Sequence, residues 1–335
     1  MEQRYSDHWP EYLMEAGGLG LFMISACFFT TMLEHPGSPV RQWLGSAFLR
    51  RTIIGVAMGL TAIGLIYSPW GKQSGAHFNP SVTITFFRLG KLARADALFY
   101  VLAQFTGATA GVFASSFLLN RWISHPAVNY VVTVPGQAGT TAAFIAELLI
   151  SFFLMTVILF ASNSKSFPAF TGVLAGILIA TYIALEAPLS GMSMNPARTL
   201  GSALSSDVWK DWWIYFTAPP IGMLAAAELY SRLRGASGVV CAKLHHQNSK
   251  RCIFRCGFHG WTHGEGGGTG TCRRARLRAK DSWLRTRGIF VAPAAGCRSG
   301  RCRSKRLTQC MTVSPIAFSI RRNSTSPRLT LSQEP

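Results

Sequence analysis

The sequence predicts an all-α membrane protein, with six transmembrane helices and two re-entrant half-helices arranged as an inverted repeat. Three observations predict this. First, 49% of the 335 residues are hydrophobic and only 14% charged, with a mean hydropathy of +0.23, whereas a soluble domain carries about 25% charged residues. Second, six apolar stretches approach the roughly 17–25 residues that a spanning helix needs. Third, an Asn-Pro-small triplet occurs twice, as Asn79-Pro80-Ser81 and Asn195-Pro196-Ala197, each between long apolar stretches.

The predicted spans are about Tyr12–Leu33, Thr52–Ser68, Ala97–Leu119, Ala142–Ser162, Pro168–Leu185 and Trp212–Tyr230. The first reads as a retained span and not a cleaved signal, because it follows Glu11 and Glu15 where a basic n-region would stand, and no small-x-small site ends it. The stretches after Ser68 and after Leu185 are too short to cross a bilayer yet fairly apolar, and they hold the two triplets. They read as re-entrant half-helices, which membranes tolerate where backbone is buried in protein or lines a cavity. Glu15 and Glu147 each sit near the start of an apolar helix, and each half then runs through two more helices and an Asn-Pro segment. With three spans per half, the second repeat enters from the opposite side, which puts the site near the midplane where the broken helices meet. The chain divides into a channel domain, 1–234, with repeats at about 10–120 and 140–232, and a tail, 235–335.

The charge of +19 belongs to the tail. Residues 1–234 hold 14 Lys+Arg against 11 Asp+Glu, a net +3; of the totals of 33 and 14, residues 235–335 hold 19 and 3, a net +16. Short loops carry Lys72, Arg88, Lys91, Arg94 and Lys165 on the side of Arg4 and the tail; the other side has Arg41, Arg121 and Lys210, with Arg50 and Arg51 at a helix end. The positive-inside rule then places both termini in the cytoplasm, and the expected location is a multi-pass protein of the plasma (bacterial inner) membrane.

An Asn at a helix start accepts a backbone N–H with its side-chain oxygen and keeps its NH2 free to donate. Pro suits the first helical position. Two such donors facing each other orient the oxygen of a passing solute, while each half-helix presents a positive dipole end of about half a charge. A cation is repelled there and a neutral solute is not.

The segments Ser74-Gly75-Ala76-His77-Phe78-Asn79-Pro80-Ser81-Val82-Thr83 and Ser190-Gly191-Met192-Ser193-Met194-Asn195-Pro196-Ala197-Arg198 resemble the two signature segments of the major intrinsic protein family, the aquaporins and aquaglyceroporins. The resemblance covers about residues 10–232. It implies an aquaporin-like fold and a homotetramer in which each protomer has its own pore, conducting water or small uncharged solutes passively and excluding ions and protons, with no enzymatic activity and no cofactor. Ser81 stands where the family motif has Ala, a small-for-small change.

The resemblance also implies a selectivity filter. Its Arg matches Arg198, three residues after Asn195, where the alternative is an interfacial Arg that snorkels. Counting as the family does gives Ile183 on the fifth helix, Met192 in the loop and Met58 on the second, with Ala57 or Gly59 also open because one extra residue precedes Ser74. Strict water pores have an aromatic ring and a His here; Met58, Ile183 and Met192 supply neither, which suits glycerol or urea as well as water. Two features point back to water: Thr199 stands where the glycerol branch commonly has Asp, and Tyr215-Phe216 resembles the aromatic pair of the water-selective branch. Water ranks first and broader neutral-solute transport second.

His77 is expected in the cytoplasmic vestibule, either as a pH sensor or as a brace for the loop. Glu15 and Glu147 are expected to hold the backbone of the re-entrant loops. Gly17, Gly18, Gly20, Gly107, Gly111, Gly172 and Gly176 fit close helix approach. In the tail, which reads as disordered from its composition, Cys241, His245, His246, Cys252, Cys256 and His259 cluster; either free thiols or a zinc or other soft-metal site fits, with Cys241, His245, Cys252 and Cys256 the candidate ligands. Beyond Gly260, Cys272-Arg273-Arg274-Ala275-Arg276 and similar runs have the composition of a sequence read past a native end or out of frame. The tail's basic patches suit anionic membrane lipid; nucleic acid is disfavoured because stacking aromatics are scarce there. A secondary transporter also uses inverted repeats and broken helices, but no intramembrane Asp accompanies the triplets to hold a coupling ion.

Overall fold

The computed structural model describes residues 6–235 and 238–258. Among these residues the chain forms twelve α-helices and no strand. In order they are α1 (Trp9–Glu34), α2 (Pro39–Trp43), α3 (Ala47–Tyr67), α4 (Pro69–Ser74), α5 (Pro80–Arg88), α6 (Arg94–Leu119), α7 (Arg121–Ser124), α8 (Gly139–Ser162), α9 (Thr171–Leu185), α10 (Ala187–Ser190), α11 (Pro196–Ser206) and α12 (Trp213–Arg234).

Local chemistry sets several boundaries. Ser46 caps α3 by accepting from the Leu49 N–H, and Ser68 caps α4 by accepting from the Gly71 N–H at 3.0 Å, with Pro69 in the first turn. Asn79 and Asn195 cap α5 and α11, each followed by Pro. These two helices have 9 and 11 residues, so end to end they cover about 30 Å at 1.5 Å per residue. That is the thickness of one bilayer core.

Among the described residues, five helical stretches are long and apolar enough to cross a membrane: Trp9–Glu34, Ala47–Tyr67, Arg94–Leu119, Gly139–Ser162 and Pro168–Leu185. The last opens with a 3-10 turn at Pro168–Phe170. The sixth expected span is present as the 22-residue α12, but Pro219 and Pro220 interrupt it and Arg232 and Arg234 end it. Composition alone therefore does not set it with the other five.

The packing repeats with the sequence. α1 packs on α6 as α8 packs on α12, and α5 meets α12 as α11 meets α6; α3 and α9 pair with each other across the centre. Small residues make these crossings possible. A Cβ on Gly107 would lie 2.1 Å from the Ala16 carbonyl oxygen, and one on Gly176 would lie 2.7 Å from that of Gly59. No larger residue fits at either crossing. The outer surface is apolar, with Leu60, Leu102, Phe113, Phe117, Phe153 and Ile177 all exposed, as lipid contact requires. Exposed Trp9, Trp43, Trp70, Trp209, Trp212 and Trp213 lie at or beyond helix ends, where aromatic belts form.

One part of the expected tail differs. Residues 238–258 pack on the helical body, and Val239, Cys241, Ala242, Leu244 and Phe254 join a buried cluster with Phe86, Tyr100, Met155 and Tyr230. Long-range packing here overrides a polar, basic composition. The expectations for His259 and for the runs beyond Gly260 lie outside the described residues.

Candidate functional site

The two Asn-Pro segments meet at the centre of the molecule. The Asn79 side-chain oxygen accepts from the Ser81 N–H at 2.8 Å, which turns its Nδ2 toward the other half, where it donates to the Met194 carbonyl at 2.7 Å. Asn195 mirrors it. Its oxygen accepts from the N–H groups of Ala197 (3.0 Å) and Arg198 (3.3 Å), and its Nδ2 donates to the Phe78 carbonyl at 2.8 Å. Each cap therefore braces the opposite loop with one N–H and keeps a second N–H on the same amide.

Each loop reaches its Asn through left-handed backbone. Gly75, Ala76 and Phe78 have φ of 98°, 57° and 45°, and Gly191, Met192 and Met194 have 81°, 50° and 55°. A non-glycine residue held there costs on the order of 1–2 kcal/mol, so something must hold it. Buried carboxylates do. Glu15 accepts from Ser74 Oγ (2.7 Å), the His77 N–H (3.1 Å), the Phe78 N–H (2.6 Å) and Gln104 Nε2 (2.9 Å). Glu147 accepts from Ser190 Oγ (2.8 Å), the Ser193 N–H (2.6 Å) and the Met194 N–H (2.7 Å). Both acids are fully buried. Two tyrosines finish the pattern, Tyr100 donating to the Ser74 carbonyl at 2.7 Å and Tyr215 to the Ser190 carbonyl.

A cavity of about 350 Å³ runs past both loops, lined by residues 76–79 and 191–195, Arg198, and an apolar wall that includes Leu19, Val82, Leu154, Ile158 and Ile179. Met58, Ile183 and Met192 all line it, while Ala57 and Gly59 do not. Ile54, one turn from Met58, joins them. Met58 Sγ accepts weakly from Ser25 Oγ at 3.7 Å. Arg198 lines the same cavity and donates from Nη1 to the Thr133 hydroxyl. Met58, Ile183 and Met192 give the cavity wall methyl and thioether groups, with no aromatic ring or imidazole among them.

His77 also lines the cavity but is not free to rotate. Its Nε2 donates to the Ala242 carbonyl at 3.0 Å, which assigns the ring proton, and Nδ1 lies 3.1 Å from Thr83 Oγ1. Its ring stacks on Phe86 and Phe254. Tyr215 is buried and absent from the cavity wall, so its sequence signal reflects bracing of a loop. Ser81 Oγ is buried with no hydrogen-bond partner.

The candidate metal ligands change by one residue. Cys241, His246, Cys252 and Cys256 bring their ligand atoms within 4.8 Å of one another. His245 does not join them: its ring packs edge-on to Tyr67 at 5.0 Å. Spacing alone did not tell which of the two adjacent histidines joins the cysteines.

Sequence reasoning missed Tyr100, Gln104 and Thr133. Tyr100 follows Asn79 by 21 residues and Tyr215 follows Asn195 by 20, so aligning the halves would have found the pair. Nothing comparable marks Thr133, which reaches Arg198 from a connecting loop.

Comparison with known proteins places these features in a wider set. The family described as Major intrinsic protein matches residues 2–230. Aquaporin NIP3-1 of Arabidopsis thaliana is 39% identical over 223 residues, which are 65% of this chain and 65% of that protein. The probable aquaporin NIP-type of Nicotiana alata is 37% identical over 181 residues, 53% of this chain and 64% of that one. The chain thus spans somewhat less than two thirds of the length of these relatives. They are plant proteins and do not carry the expectation of a bacterial inner membrane. Among solved structures, the aquaglyceroporin from Plasmodium falciparum has a TM-score of 0.57 at 21% identity, covering 68% of this chain and 96% of that chain, a likeness of fold.

Proposed function

Because the chain belongs to the major intrinsic protein family, a family of membrane channels and not of enzymes, we propose that it conducts water passively through the cavity between its two half-helices. The observation that carries this reading is the pair of cross-braced asparagines. Asn79 and Asn195 each keep one amide N–H beyond those given to the Met194 and Phe78 carbonyls, beside a cavity whose other walls are largely apolar. A water or alcohol oxygen passing there meets two donors and two positive helix ends, which repel a cation or hydronium. Selection by lining donors, an Arg and half-helix dipoles is the general scheme of aquaporin-type pores. Arg198 is the filter's charge in this reading, and Met58, Ile183 and Met192 are its walls.

A second reading, passage of glycerol or urea as well, is favoured by those three side chains, which leave the ring around Arg198 apolar. Proteoliposome swelling, measured with a chelator present to strip any metal from the tail cysteines, separates the two. Under a sucrose gradient fast shrinkage is expected; under a glycerol or urea gradient, shrinkage without re-swelling means a strict water pore and re-swelling means the broader one. Rates equal to empty liposomes defeat both. We also place both termini in the cytoplasm, from the loop lysines and arginines, and assemble the chain as a homotetramer through its exposed apolar helix faces, which chemical cross-linking in membranes tests.

A further inference from the structure

The segment after α12 carries chemistry that a neutral-solute channel does not use. Residues 239–258 contain no helix or strand, yet they are seated on both halves of the repeat. The Val240 N–H donates to Asn163 Oδ1 at 2.6 Å, the Leu244 N–H to the Gly75 carbonyl at 3.1 Å, and the Arg255 N–H to the Lys91 carbonyl at 2.9 Å. Arg251 pairs with the buried Glu11, and the Ala242 carbonyl accepts from His77 Nε2. Leu244, 4% exposed, is the residue of this segment that lines the cavity, beside Ala76 and His77. It lies against the first re-entrant loop, whose Gly75 carbonyl accepts from its N–H.

An irregular segment of this length needs something to fix its shape, and its four soft ligands are already gathered. Cys241 Sγ lies 3.6 Å from Cys252 Sγ, and Cys256 Sγ lies 3.0 Å from His246 Nε2. All four ligand atoms fall within 4.8 Å of one another. Zinc bound tetrahedrally at about 2.3 Å from sulfur and 2.0–2.1 Å from nitrogen spaces its ligand atoms by about 3.5–3.8 Å. Three thiolates and one imidazole around Zn2+ leave a net negative charge, and the buried Lys243 lies beside them as a counter-charge. Its ammonium is held by the carbonyls of Lys250 (3.2 Å) and Arg251 (2.6 Å). The second of these bonds ties Lys243 to the residue that precedes Cys252. Metals bind cysteine as the thiolate.

We propose that residues 238–258 form a zinc-knit plug: Cys241, His246, Cys252 and Cys256 bind one Zn2+ per protomer, and the bound metal seats Leu244 in the cytoplasmic mouth and lowers conduction. Binding releases the remaining thiol protons and changes no oxidation state. The plug rests on the channel reading; the metal site does not. With free zinc about a hundredfold above its dissociation constant, a metal that binds only the plugged state favours it about a hundredfold over the metal-free protein.

The test uses the full chain, purified under reducing conditions and reconstituted in liposomes. Elemental analysis is expected to find about one zinc per protomer, and cobalt exchange to give the absorption of a tetrahedral thiolate site; both are lost in Cys252→Ser/Cys256→Ser. Chelation is expected to raise osmotic water flux about tenfold or more in the wild type and to leave the double variant unchanged. Phe254→Ala, which removes the ring stacked on His77 and set edge-on to Tyr100 without touching a ligand, is expected to keep its zinc and conduct without chelation. No stoichiometric zinc, or a Cys241–Cys252 disulfide in its place, overturns the site. Zinc present with flux indifferent to chelator and to Phe254→Ala overturns the plug. If neither the chelated protein nor Phe254→Ala exceeds empty liposomes, the channel reading fails and the plug with it, while the zinc count still decides the site.

Discussion

Glu147→Gln probes how the second half-helix is held, because it keeps the shape of the side chain and changes only what its atoms accept. In the wild type every partner is a donor: Ser190 Oγ and the Ser193 N–H meet Oε1 at 2.8 and 2.6 Å, and the Met194 N–H meets Oε2 at 2.7 Å. A glutamine has one acceptor oxygen, so whichever way the amide faces, at least one backbone N–H confronts an NH2. That N–H is buried and has lost its partner, at a cost of about 1–3 kcal/mol. At roughly 2–4 °C per kcal/mol for a chain of this size, Tm in detergent falls by about 2–12 °C, read at one fixed scan rate because unfolding of such proteins is irreversible. The perturbation also reaches the centre, since the Met194 carbonyl holds Asn79 Nδ2 at 2.7 Å. Water flux in the Phe254→Ala background is therefore expected to fall as well. Glu15→Gln breaks the mirror-image set around the His77 and Phe78 N–H groups and should cost a similar amount. A Glu147→Gln protein whose Tm stays within about 1 °C of wild type would falsify the claim that these carboxylates hold the left-handed loops.

Other expected outcomes concern the cavity wall. Arg198→Val removes the charge beside the Thr133 hydroxyl and should raise proton and sodium leak through proteoliposomes about tenfold or more, a change that needs only about 1.4 kcal/mol off the barrier; unchanged leak means that ion exclusion lies elsewhere. Met58→Phe/Ile183→His narrows the ring and adds a polar edge, so glycerol re-swelling should drop at least about tenfold while water flux stays within about threefold; parallel loss of both means these residues are only packing. Ser81→Ala deletes a buried hydroxyl without a partner and is expected to stabilise by up to about 1 kcal/mol, read as a higher Tm; a fall would mean that the hydroxyl is satisfied in the membrane.

What could be read from the sequence follows how local each cause is. Apolar length marked the spans because desolvation of a helix depends on its own residues, and Asn-Pro marked the two half-helices because capping acts within three positions. Glu15 and Glu147 were legible through the repeat, since a duplicated acid in an apolar helix implies a duplicated partner. Across the midplane this reasoning stops. The bonds from Asn79 to Met194 and from Asn195 to Phe78 join residues 115 and 117 positions apart, and no period or cap encodes such a pairing. For α12 the local signal misleads in the other direction: its mean apolarity is diluted by Pro219, Pro220 and a basic end, yet Ile214, Tyr215, Ala218 and Met223 are buried against the rest of the bundle.

The segment 238–258 shows the limit most clearly. Its composition is that of a solvated tail, and each stretch of it lacks the apolar content to fold alone. Its order comes from contacts that the sequence separates widely, such as His77 with Ala242, 165 positions apart, and Arg251 with Glu11, 240 apart. The cysteines were visible from the start, but their spacing from Cys241 to His246, Cys252 and Cys256 fits no regular element on which ligands recur at fixed intervals. Choosing His246 over His245 required knowing that Tyr67 already takes the His245 ring. A ligand set of this kind is selected by what the channel body leaves free, so the surface it docks on helps to specify the site, and a change on that surface, at Asn163 or Glu11, is expected to act on metal retention without touching a ligand.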